Sequence, residues 1–179
     1  MIAAFHTSEA VASALTRSLT AVVELLERMS DHTYCWKPEG GVSGAIGAHV
    51  RHVLDHVNVL VERPRPQVVS YDYRARDTRI EHSRLAGIAA LRLAIDRVSG
   101  LTTFQRDEML TLEVMVEHGQ APVAVTTSLA RELVFALQHT IHHQAIIAIL
   151  LQQVGVTAPS RFGYAPATPT REEQCARSA

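Results

Sequence analysis

LARELVFALQHTIHHQAIIAILLQQV, residues 129–154, reads as one long helix that is apolar on most of its faces. A helix at the edge of a fold keeps a polar face for solvent, so one of this kind belongs at the centre. Thr127 or Ser128 supplies an N-cap oxygen, and Gly155 supplies the stop. Three histidines are set into this helix: His139, His142 and His143. His139 and His143 stand four apart and share a face. His142 lies about 100° around the axis from His143 and cannot easily serve the same point.

Upstream, the pattern changes period. In residues 109–117, Leu110, Leu112, Val114 and Val116 alternate with Thr111, Glu113, Met115 and Glu117, and residues 121–126 form a second short β-prone run. Period two predicts a small β-hairpin directly before the last helix. A helix is expected from about Thr78 to Val98, stopped at Ser99-Gly100. Before it, residues 63–77 carry Pro64, Pro66 and the run Tyr71-Asp-Tyr73-Arg74-Ala-Arg76. The connection is long for a structureless loop, which favours a functional one. It suits a flap over the mouth of the fold, with an arginine to grip a substrate carboxylate, and equally a solvated loop with two aromatic anchors.

The second helix is expected from about Gly44 to Val61, with Ser43 as its cap and the two prolines as its stop. It carries the other histidine run: His49, His52 and His56, with Asp55 beside the last. The first helix runs from Thr7 or Ser8 to about Ser30 on a stripe of Val11, Leu15, Leu19, Val22, Val23, Leu26 and Met29. Residues 31–41 read as a loop, in which Tyr34, Cys35 and Trp36 cover the end of the fold. Four helices with one long crossover predict an all-α four-helix bundle with a small hairpin. We expect a single domain over residues 1–165 and a disordered tail over 166–179.

Composition narrows the function classes. The chain has 179 residues, 47% of them hydrophobic and 20% charged, with a net charge of −1. No basic excess or stripe points to nucleic acid. The longest continuous apolar run, residues 145–151, is too short to span a bilayer. Two cysteines, Cys35 and Cys175, make no disulfide framework, and the first residues lack the pattern of a signal peptide. The expectation is a cytoplasmic protein without nucleic-acid or membrane partners, acting on a small molecule.

Six of the ten histidines fall in the two helical runs. Two helix walls facing each other would offer neutral nitrogen donors to one divalent ion and leave it open positions. The other reading of such a cluster is a structural hydrogen-bond network. A zincin is excluded, because Thr140 follows His139 where His-Glu-x-x-His requires Glu.

Gly47-Ala-His49-Val-Arg-His52-Val-Leu-Asp55-His56 and His139-Thr-Ile-His142-His143-Gln-Ala resemble the paired motifs of the DinB/YfiT-like superfamily, from about Thr7 to Leu151. The resemblance implies a four-helix bundle, a homodimer and one divalent metal (zinc, nickel or iron) on one histidine of the second helix and a pair on the last. Those positions match His52, His139 and His143. It further implies a thiol S-transferase using a low-molecular-weight thiol; an ion on three imidazoles can also activate a bound water, which makes a hydrolase the companion expectation. His49, His56, His142 and Asp55 are then candidates for proton shuttling or for orienting a ligand, and His56 for ligation. The sulfoxide synthases among these relatives carry His-x-x-x-His-x-Glu, whereas Ala145 stands at the last position here, which argues against oxidative C–S bond formation. A metal-binding or homodimeric interaction module without catalysis stays open beside the enzyme, as does a plain structural bundle.

Overall fold

The computed structural model describes residues 7–39, 44–65, 67–73, 77–101, 105 and 108–170. Ser43, Arg74, Arg76 and Cys175 lie outside that set. The described chain is mostly helical, with one small sheet: α1 (Thr7–Glu27), α2 (Asp31–Cys35), α3 (Ile46–Val61), β1 (Val68–Ser70), α4 (Thr78–His82), α5 (Arg84–Ser99), β2 (Met109–Val114), β3 (Val123–Ser128) and α6 (Leu129–Gln153).

The stripe on α1 buries Leu15, Leu19 and Leu26 completely, each contributing about 1.5–3 kcal/mol by leaving water. α1 packs against α5 and α6, and α3 packs against the same two helices. α6 starts where Ser128 accepts the Arg131 N–H on its side chain, satisfying one of the donors that a helix start leaves open. By length and composition alone α6 would also suffice to cross a membrane. Its inner residues Leu129, Leu133, Ile147, Leu150 and Leu151 are buried among the other helices, as in the central helix of a globule.

Two expected elements come out differently. The third helix is broken at Ser83, which has extended backbone (φ −130°, ψ 107°), ends α4 and caps α5 through Ala86 N. No proline or glycine marks the break in the sequence. Serine makes it because its hydroxyl competes for backbone donors. Within the segment expected as a loop, residues 31–35 form a short helix, with Ser30 accepting from Thr33 N. Tyr34, fully buried, donates its hydroxyl to Ile80 O at 2.7 Å. Burial pushes its pKa well above the ordinary tyrosine value, so it remains a neutral donor.

The hairpin before α6 is present: β2 and β3 pair antiparallel from Met109↔Ser128 to Val114↔Val123. A third strand, β1, joins β2 in parallel with Val69 opposite Leu112. Sheet order is β1-β2-β3. Tyr71 follows directly on β1, and its position next to the histidine helices depends on that pairing.

A histidine cluster as candidate metal centre

Packing of α3 against α6 brings both histidine runs to one interface. His52 lies 4.5 Å from His56, 4.9 Å from His139 and 4.8 Å from His143 by ring centroids. His139 lies 4.1 Å from His56 and 4.5 Å from His143. The donor nitrogens that converge are those of His52, His56 and His139, all within 4.8 Å of one another. A tetrahedral ion bound to imidazoles at 2.0–2.1 Å needs donor separations of about 3.4 Å. Small side-chain rotations close that difference, so the donor set fits a divalent transition metal.

The local helix geometry prepares one donor. His56 donates its Nδ1–H to the carbonyl of His52, one turn earlier, at 2.9 Å. A carbonyl only accepts, so Nδ1 carries the proton and Nε2 keeps its lone pair. Metal-binding histidines are fixed in the same manner elsewhere. His143 and His49 share a hydrogen bond between their Nδ1 atoms at 3.0 Å, which joins His49 to the cluster from behind. His142 is exposed, with its ring 6.4 Å from that of His139. Asp55 accepts from Arg51 Nη1 at 2.7 Å, and Arg51 also pairs with Glu81. Cys35 donates to His82 O at 3.6 Å.

Aromatic residues wall the cluster. Tyr71 stacks on His56 at 5.0 Å and 17°. Phe135 packs on Tyr71 at 5.1 Å and stacks on His139 at 5.6 Å and 22°. Tyr71 donates to Glu132 Oε2 at 2.7 Å; Glu132 Oε1 accepts from Thr127 Oγ1 at 2.7 Å and from Arg131 Nη1 at 3.1 Å. Glu132 is 0% exposed. Burial, and the hydrogen bond to this carboxylate, push the Tyr71 pKa far up. The sequence flagged Tyr71 but not Glu132 or Phe135. The missed signal was their spacing: 132, 135 and 139 fall on one face of α6.

Burial favours the neutral form of His143 and His49. The His143 pKa is lowered from 6.5 to about 3, first by desolvation and then by its neighbours His139, His52, His49 and His142. That of His49 is also lowered, chiefly by desolvation. A folded-state pKa below the unfolded value means that the unfolded chain takes up the proton first as pH falls. Stability from His143 is full above pH 6.5 and is lost progressively from there toward pH 3, and His49 acts in the same direction. The melting temperature of metal-free protein is therefore expected to fall between pH 7.5 and pH 5, and to fall less in His143→Gln. Calorimetry across that range checks it.

A cleft of about 780 Å³ lies elsewhere, between Ala148, Ile149 and Gln152 of α6 and residues 155–170. None of the six histidines lines it. Lacking such a cluster of convergent donors, it is a weaker candidate for chemistry than the histidine site.

A family model described as the DinB superfamily matches residues 14–147. A curated relative from Rhizopus delemar, named FK506-binding protein 5, is 30% identical over 105 residues, covering 56% of this chain and 26% of that protein. The chain thus spans about a quarter of the length of the curated relative it matches.

Proposed function

The chain belongs to the DinB superfamily, and on that premise we propose that it is a divalent-metal-dependent enzyme, a thiol S-transferase or hydrolase built on a four-helix bundle. The observation that carries this reading is the convergence of His52, His56 and His139, three imidazoles from two facing helices. His52 and His139 are the donors common to every arrangement we consider. His56 completes the set, supported by its fixed tautomer. His143, also close to both, is the alternative third donor and the one that the family motif implies.

A divalent ion on neutral ligands keeps its full charge and supplies activation of a water or thiol at neutral pH. The protein's own groups then have distinct tasks. Tyr71 and Phe135 hold the rings of His56 and His139. The Nδ1–Nδ1 bond of His49 and His143 offers a place to hold or pass a proton. Asp55, already engaged by Arg51, is assigned to holding α3 in place.

Elemental analysis tests the proposal. Purified protein, reconstituted with zinc, nickel or iron, is expected to hold about one ion per chain, and His52→Ala/His139→Ala to hold none. His56→Ala is expected to weaken binding more than His143→Ala. Absence of metal after all three reconstitutions sinks the enzyme reading and leaves the histidines as a core network.

A further inference from the structure

Glu132 and Asp55 are the buried carboxylates among the described residues, and each is committed: Asp55 to Arg51, Glu132 to Tyr71, Thr127 and Arg131. Arg131 stands apart from the other ion-pairing cations near the site, because its side chain is 63% exposed while its partner is wholly buried. One of its nitrogens is tied to Glu132 Oε1. Its guanidinium lies over the Phe135 ring at 5.8 Å from the centroid, and that ring stacks on His139. Guanidinium, phenyl and imidazole thus form a column along one face of α6. The tie and the stack restrain a guanidinium whose side chain stays largely exposed, and a guanidinium is the group whose fork recognises a carboxylate.

We propose that Arg131 is a specificity-determining residue, which receives an anionic group (a carboxylate in the first instance) of a substrate whose reacting atom sits at the histidine cluster. The proposal rests on the metal-site reading above and adds the substrate class to it. Eight positions along a helix rise about 12 Å, and the arginine side chain spans part of that distance. The anionic group and the reacting atom are therefore separated by about 10 Å, roughly the span of an extended six-carbon chain with a thiol sulfur at one end and a carboxylate oxygen at the other. Compact anions fit poorly; extended ones with an apolar middle fit well, since Phe135 lies between the two ends.

The test uses full-length protein loaded with cobalt(II), whose visible spectrum reports thiolate coordination, titrated with 6-mercaptohexanoate and with 6-mercaptohexanol. The wild type is expected to prefer the carboxylate by about tenfold, equivalent to about 1.4 kcal/mol. The ratio should collapse toward one in Arg131→Gln and be restored in part by Arg131→Lys, which keeps the charge and loses the fork. Equal ratios in wild type and Arg131→Gln, or no preference in the wild type, overturn the role of Arg131 while leaving the metal site standing. No cobalt spectrum in the wild type removes the metal site, and this inference with it. Because Arg131 is exposed and Glu132 keeps its bonds to Tyr71 and Thr127, the variants are expected to fold.

Discussion

Gly47→Ala is expected to lower the melting temperature by about 10 °C, the equivalent of about 3 kcal/mol in a chain of this size. A Cβ at position 47 would stand 2.2 Å from the carbonyl oxygen of Glu81 and 2.7 Å from the Tyr34 ring. The first of these is backbone and cannot rotate away. The glycine is therefore what lets α4 lie directly on α3, with Tyr34 locked between them by its bond to Ile80. An ordinary helix-interior glycine gains stability on replacement by alanine, because alanine is the better helix former. Thermal unfolding of the variant separates the two: a rise, or no change, would mean that α4 does not approach α3 as described.

Glu132→Ala is the second substitution with a large expected cost, about 3 kcal/mol or more. It removes the shared acceptor of Tyr71, Thr127 and Arg131 and leaves the buried Tyr71 hydroxyl without a bond. Its consequence reaches the site, since Tyr71 is the ring that stacks on His56. Loss of a partner that orients a ligand from behind commonly lowers metal affinity by 10–100-fold, and about tenfold is expected for zinc here. Glu132→Gln, which keeps an acceptor oxygen, should fall between. Competition with a chromophoric zinc chelator, run beside thermal unfolding, reads both effects. Wild-type affinity in a destabilised Glu132→Ala would detach the aromatic wall from the metal.

The histidine positions were legible because helical periodicity is strict. His139 and His143 must share a face wherever α6 goes, and likewise His52 and His56 on α3. The sequence could not tell how the two helices are rotated against each other, and that rotation selects which rings converge. Expectation gathered His52, His139 and His143. The structure gives the closest donor convergence to His52, His56 and His139, with His143 turned to His49. The hairpin was legible from the alternation in residues 109–117, whereas β1 was not, since a strand of three residues next to two prolines leaves no periodic trace. The break at Ser83 escaped for a related reason: serine is tolerated inside helices as well as at their ends.

The parallel pairing of β1 with β2 also sets how the two helix walls can move. β1 follows α3 in the chain, and β3 runs straight into α6. The sheet β1-β2-β3 therefore ties the end of one wall to the start of the other, like a hinge leaf screwed to both sides of a door. Parting α3 from α6 at that end means tearing strand hydrogen bonds; parting them at the opposite end, by His49 and His143, breaks one imidazole pair. Any breathing of the interface is thus lopsided. The fold swings from the sheet, and His49 is the latch at the far end.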